Sequence, residues 1–264
     1  MTDTSHDWAL VTGASSGIGS ALAVTLALRN IAVVLCGRDR DRLASVEAQC
    51  RASVPTIACG ADLARPDARE HLANVVTDTA RQPERLRFFI HCAGAGDPST
   101  EFARMAPGAL QEAMAINVTA ALDLTQRLLP LLRQAPLNRL LLVGAGIADR
   151  PQPGTGVYGI SKKALARLFE QMLIDFEHQG EPGLPALALF QPGLVDTEGL
   201  RDHLAKAERC RLPHAAWLRQ RLQDNDALSP RQAAATMAHA LLDLDRDAFH
   251  GQTLHAREIL CPKQ

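Results

Sequence analysis

Trp8-Ala9-Leu10-Val11-Thr12-Gly13-Ala14-Ser15-Ser16-Gly17-Ile18-Gly19 is the stretch that decides the fold of this chain. Trp8–Val11 is a short apolar run, Thr12–Gly19 is rich in glycine, and Ser20–Arg29 reads as a helix. A strand, a tight glycine turn and a helix, in that order, bring backbone close to a bound group. The unpaired N–H groups of the first helical turn then face an anion. The spacing is G-x-x-x-G-x-G, not G-x-G-x-x-G, and a glycine turn by itself also serves as an ordinary connection. Its place directly after the first strand favours a phosphate cradle built from Gly13, Ser15, Ser16, Gly17, Ile18 and Gly19.

Outward from this turn, strands and helices alternate. Ile31–Leu35 is a continuous apolar, β-branched run, as expected of a strand buried on both faces. Further strands are expected at Pro55–Cys59, Leu86–His91, Arg139–Val143, Ala186–Phe190 and Thr253–His255. Helices are expected at Arg40–Arg51, Pro66–Thr79, Ala109–Leu132 (with Pro130 as a possible end), Val157–His178 and Arg231–Leu244. The alternation implies βαβ units in one α/β domain over residues 1–264: a doubly wound, mostly parallel sheet with helices on both faces. Ligands of such sheets bind beyond the C-terminal strand ends. Glycine turns and polar residues gather after those ends. Glu198–Ser229 stands apart: it is charged, with Leu200, Leu204, Leu212, Trp217, Leu218 and Leu222 spaced for one or two amphipathic helices. Following the sixth strand, it is placed to fold over the site as a lid.

The 264 residues are enough for one large domain. A net charge of −1 gives no field that selects nucleic acid or an acidic membrane, so neither is an expected partner. The six cysteines include no C-x-x-C pair and no zinc spacing, and they read as small core residues in a reducing compartment. Met1–His6 does not have the form of a secretion signal, and no apolar run reaches the ~20 residues of a membrane span. A cytoplasmic protein is expected.

The glycine turn resembles that of the short-chain dehydrogenase/reductase family, and the resemblance runs through nearly the whole chain in order. Asp62-Leu63 is similar to the family's adenine-contacting acid and its neighbour. His91-Cys92-Ala93-Gly94 is similar to N-N-A-G with both asparagines replaced, and Asn117 to the helix asparagine. Tyr158-Gly159-Ile160-Ser161-Lys162 matches Y-x-x-x-K, and Pro192-Gly193-Leu194-Val195-Asp196-Thr197 matches P-G-x-V-x-T. The resemblance implies a Rossmann-type fold and a nicotinamide cofactor held by the glycine turn, Asp62, Leu63, Ala93, Gly94, Tyr158, Lys162, Pro192, Gly193, Val195 and Thr197. It implies hydride transfer to or from a small carbonyl or alcohol. Tyr158 would be the acid/base, Lys162 would tune it and hold the nicotinamide ribose, and Asn117 would support a water relay. The family also implies a homodimer or homotetramer through its long helices.

Cofactor choice follows from charge. A carboxylate at the end of strand two would bond the ribose 2′-OH of NAD and repel a 2′-phosphate. Here Gly37 and Arg38 occupy that place, and a guanidinium pairs with phosphate through two N–H donors. NADP(H) is therefore expected over NAD(H), with Arg38 as a simple solvated arginine the competing reading. Asp39 and Asp41 are near enough in sequence to pair with Arg40 and Arg42.

One position departs from the family. Its serine stands thirteen residues before the tyrosine, where this chain has Ala145, flanked by Gly144 and Gly146. Ala145 and Gly146 are thus expected to line the substrate pocket without a hydroxyl, together with residues 94–97, the rest of Ala145–Pro151 and the segment after Thr197. Three explanations stand open, in this order: another donor, such as Thr155, Ser161 or a water; a conjugated carbonyl that needs less help, as in the family's enoyl reductases; or a catalytically silent NADP-binding sensor or scaffold. His91, Cys92, Met105 and Met114 read as packing. No metal ligand set is expected.

Overall fold

The computed structural model describes residues 6–80, 85–96 and 99–260. Expectations placed on residues 1–5, Asp97 and Cys261 lie outside the described residues. Strands β1 (Asp7–Thr12), β2 (Ala32–Gly37), β3 (Thr56–Gly60), β4 (Arg85–His91), β5 (Arg139–Val143), β6 (Ala186–Gln191) and β7 (Thr253–His255) form one sheet. Its order is β3-β2-β1-β4-β5-β6-β7, and every pairing is parallel. The expected doubly wound sheet is present, without an antiparallel strand among those described. Thr12 is level with Cys36 on one side and His91 on the other, so three strands end together where the strand order reverses. That reversal is the switch point at which ligands bind.

Alternation along each strand builds two cores. Trp8 and Leu10 face one layer, while Ala9 and Val11 face the other. One layer holds α1 (Gly17–Leu28), α2 (Arg40–Arg51) and a later helix, Pro230–Leu242. The opposite layer holds α3 (Pro66–Thr79) and, after α4 (Pro107–Met114), the helices α5 (Ala120–Leu132) and α6 (Gly156–Gln179). Then come α7 (Glu198–Arg209), α8 (His214–Gln223), α9 (the Pro230–Leu242 helix), α10 (Arg246–Phe249) and α11 (Ala256–Leu260). No helix among the described residues is long and apolar enough to cross a membrane.

Two elements differ from expectation. The helix expected over Ala109–Leu132 is interrupted: α4 and α5 are joined by a π-helical turn at Ala115–Thr119. The helix also continues through Pro130 to Leu132. Pro130 and Gln126 are on the exposed face, so the carbonyl left without a partner by proline can be hydrated. The charged segment after β6 forms α7 and α8. Val195 bridges Leu228 where it rejoins the body, and Ser229 then opens α9 with a capping box.

One buried pair ties the cleft wall to the helical layer. Arg69 of α3 donates Nε to Asp123 of α5 at 2.6 Å and Nη1 to the Leu63 carbonyl at 2.9 Å. Arg69 is only 7% exposed in its side chain, so Asp123→Ala strands a buried cation. The expected loss is about 2–3 kcal/mol, read as a thermal midpoint lower by about 5 °C or more. An unchanged midpoint would show that the pair contributes nothing.

Candidate functional site

A cleft of about 410 Å³ opens at the switch point. Of the residues singled out from sequence, Gly13, Ser15, Ser16, Gly17, Ile18, Gly19, Arg38, Leu63, Ala93, Gly94 and Thr197 line it. Gly13 has φ +69°, and a Cβ on it would lie 2.8 Å from the Ala93 nitrogen. A Cβ on Gly19 would overlap the Gly13 carbonyl. The turn can therefore lie flat on the end of β4 only without side chains at these two positions. Ser16, the N-cap of α1, is extended and its side chain makes no capping bond, and the first turn holds no acid. Donors and a positive helix end thus face the cleft with no acid in their own first turn to neutralise them, which fits a pyrophosphate.

Other expected residues lie outside the cleft lining. Asp62 sits between Ala61 and Leu63, which do line it, but its carboxylate accepts the N–H of Ala64 at 3.1 Å. Pro192, Gly193 and Val195 follow β6 without lining the cleft. Asn117, Tyr158 and Lys162 form a separate group beside its Gly94 and Val143 end, while Ala145 and Gly146 follow β5 without lining the cleft.

Hydrogen bonds assemble that group. His91 is fully buried; its Nε2 lies 3.1 Å from the Ile116 carbonyl and therefore carries the hydrogen. Its Nδ1 then accepts from the Thr12 hydroxyl at 3.1 Å, and Thr12 Oγ1 accepts the Ala93 N–H at 3.2 Å. Burial, with the nearby Lys162 charge, holds the imidazole neutral by pulling its pKa down to about 3. The ring so joins β1, β4 and the π-helical turn. In that turn Asn117 accepts the Ala95 N–H at 2.8 Å and donates to the Ala95 carbonyl at 2.9 Å and to Ser161 Oγ at 2.7 Å. Its amide grips the loop after β4, not Lys162. Gly94 lies between the two: a Cβ there would be 3.6 Å from Asn117 Oδ1 and 3.5 Å from Lys162 Nζ.

Tyr158 and Lys162 lie one turn apart on α6, and Lys162 Nζ is 5.7 Å from the Tyr158 ring centroid. Nζ donates to the Val143 carbonyl at 2.7 Å. Burial lowers the lysine pKa to about 8 and raises that of the phenol to about 12. Desolvation by burial is the cause of the phenol's rise. Gly96 packs on the phenol ring, with a Cβ there only 2.7 Å from Cδ2. Ala145 is extended and half-buried at the start of a 3₁₀ turn, Gly146–Ala148. Thr155 donates its hydroxyl to the Gln152 carbonyl at 2.8 Å, and Ser161 to the Tyr158 carbonyl at 2.9 Å. Both suggested substitutes for a serine at 145 thus have their protons engaged by backbone.

Sequence reasoning offered Arg42 only as a partner for a neighbouring aspartate and missed Glu198; both line the cleft and pair with each other. Gly96 lies within the expected pocket stretch 94–97, but its close packing on Tyr158 had no signal in the sequence. Arg38 lines the cleft and is 63% exposed, with Glu112 as its acid at 3.9 Å. Asp39 is occupied: it accepts the Arg42 N–H at 3.0 Å as cap of α2 and faces Arg42 Nε at 3.2 Å.

Tyr158 is the only tyrosine in the chain, so phenolate absorbance reports it alone. At about pH 11 the unfolded chain should be about nine-tenths ionised and the ligand-free folded protein about one-tenth. Since the folded state holds this proton more tightly, the tyrosine's contribution to stability falls as pH rises from 10 to about 12. Equal phenolate in the two states at that pH would overturn the assigned environment.

Residues 7–208 match the family model for short chain dehydrogenases. The chain is 27% identical over 238 residues to the short-chain type dehydrogenase/reductase y4eK of Sinorhizobium fredii, an overlap of 89% of this chain and 86% of that protein. Its fold is similar to L-sorbose reductase of Gluconobacter frateurii complexed with NADPH and L-sorbose, with a TM-score of 0.79, 20% identity and coverage of 96% and 95%. It is likewise similar to 3-ketoacyl-(acyl-carrier-protein) reductase of Brucella melitensis complexed with NADH, with a TM-score of 0.77, 18% identity and coverage of 96% and 97%. With most of its length matched by the family model, the chain belongs to the short-chain dehydrogenase/reductase family of NAD(P)-using oxidoreductases.

Proposed function

We propose that the protein is an NADP(H)-dependent reductase of a small carbonyl compound, with Tyr158 as proton donor. The observation that carries this reading is the meeting of two features. Tyr158 and Lys162 share a face of α6, beside the Gly94 and Val143 part of a cleft whose lining also combines a bare helix N-terminus with Arg38 and Arg42. When bound, the nicotinamide would supply or accept the hydride. Gly13 and Ser15 to Gly19 would hold the pyrophosphate, with Leu63, Ala93, Gly94 and Thr197 as walls. No carboxylate is free at the end of β2 to select a ribose hydroxyl, since Asp39 is engaged by α2 and Arg42. Arg38 is free to turn toward a 2′-phosphate, because an exposed pair at 3.9 Å holds it weakly.

The phenol's raised pKa keeps Tyr158 protonated at neutral pH, which suits donation to a carbonyl oxygen as negative charge develops there. Lys162, lowered to about 8 by burial, is still mostly charged at neutral pH and favours the phenolate left behind. Asn117 and Ser161 hold the loop that carries Gly94 and Gly96 against these two side chains. Packing of Leu212 on Gly154 and a 2.9 Å hydrogen bond between Ser99 and His203 join the 198–229 segment to the loops after β4 and before α6, which supports a lid role for it. Exposed Leu122 on α5 and Ile160 and Ile174 on α6 support a homodimer or homotetramer.

A second reading is a silent NADP-binding sensor, favoured by Ala145 together with the engaged hydroxyls of Thr155 and Ser161. A panel of carbonyls and conjugated enones with NADPH separates the two. Turnover is expected, with Tyr158→Phe lowering it by about 10²–10⁴-fold. Ala145→Ser is expected to raise turnover about tenfold or more by restoring a donor to the substrate oxygen. A preference for enones with no gain from Ala145→Ser would mark an enoyl-type reductase. Tight NADPH binding with no turnover of any substrate would favour the sensor, and full activity in Tyr158→Phe would remove that residue from the chemistry.

A further inference from the structure

We infer that Glu198 is a built-in competitor for the phosphate that distinguishes NADP(H), holding the Arg42 guanidinium until that phosphate displaces it; this rests on the cofactor reading above. Arg42 stands in the first turn of α2 and Glu198 opens α7, and both line the cleft. The two side chains meet fork to fork, Nη1 on Oε2 and Nη2 on Oε1 at 3.0 Å. The same planar fork is the geometry by which arginine grips a phosphate. On its remaining edge Arg42 Nε faces Asp39 at 3.2 Å.

The two acids are not equally free to leave. Asp39 caps α2 by accepting the Arg42 N–H, so its departure would uncap a helix. Glu198 has no such duty, since Thr197 caps α7 by accepting the Leu200 N–H at 3.1 Å. Arg42 and Glu198 are also 49% and 59% exposed in their side chains, the setting in which an ion pair is weak. A phosphate monoester of nearly two charges, with Arg38 on its other side, competes successfully for Arg42. The displaced carboxylate then remains beside the phosphate and opposes it. A dinucleotide with a hydroxyl at that place meets no such competition.

Calorimetric titration of the full chain with NADPH and NADH tests this. Glu198→Gln keeps the shape and removes the charge. It should bind NADPH about two- to fivefold tighter, the scale of an exposed pair, and NADH as before. Glu208→Gln makes the same charge change on the same helix, where the partner is Arg219, and should alter neither affinity. If wild-type protein prefers NADPH and Glu198→Gln leaves its affinity unchanged, the inference alone is overturned. The same follows if Glu198→Gln tightens both dinucleotides equally, or if Glu208→Gln reproduces its effect. A wild-type protein with no preference for NADPH overturns the cofactor reading and this inference together.

Discussion

The backbone of Gly13 lies against the backbone of Ala93, with no room between them for a methyl group. This close approach of the first turn to the end of β4 sets the rest of the site. It lets α1 start at the switch point, with its N–H groups aimed into the cleft. It also brings Thr12 beside His91, so that one neutral imidazole can join β1, β4 and the π-helical turn. Asn117 in that turn then closes the loop carrying Gly94 and Gly96 over Lys162 and Tyr158. The chain of contacts from glycine turn to phenol is continuous, although its ends are nearly 150 residues apart in sequence.

Desolvation governs the chemistry beside the cleft. It pulls Tyr158 and Lys162 in opposite senses, toward neutral phenol and toward neutral amine. The lysine is the group that destabilises the fold by its burial. Its folded pKa of about 8 lies below its ordinary 10.5, so the unfolded chain binds more protons between these values. The lysine penalty is fully present below about pH 8 and fades as pH rises to 10.5. Burial of an amine at such a cost is characteristic of a site in which a charge is wanted beside a reacting group. The cleft lining around Arg38 and Arg42 is governed instead by exposed arginines, whose pairs exchange readily.

Strand and helix positions were legible because the apolar runs are clear. Arg-Leu-Leu-Leu-Val at 139–143 is buried throughout, and a glycine stands at or just after the end of each of β1 to β6. The π-helical turn at Ala115–Thr119 was not legible, because one extra residue in a turn leaves the apolar pattern of a long helix almost intact. The family pattern pointed to Asn117 but not to its partners: Ala95 and Ser161 meet it only after three elements pack. Asp62 was legible as a neighbour of the cleft, yet local geometry turned its carboxylate to the Ala64 N–H. Arg42 and Glu198 are 156 residues apart, and neither has a local signal that marks it. The sequence led to the expectation that Ala145 takes a serine's place, but only the structure shows that Thr155 and Ser161 already spend their hydroxyl protons on carbonyls.

The central claim is that this cleft holds a phosphorylated nicotinamide dinucleotide against Tyr158. Titration of the purified protein with NADPH and with NADH, followed by nicotinamide fluorescence, tests it most directly. Tight binding of NADPH with enhanced fluorescence, and much weaker binding of NADH, is the predicted result. Binding of neither dinucleotide would contradict the account and leave the glycine turn as a purely structural connection.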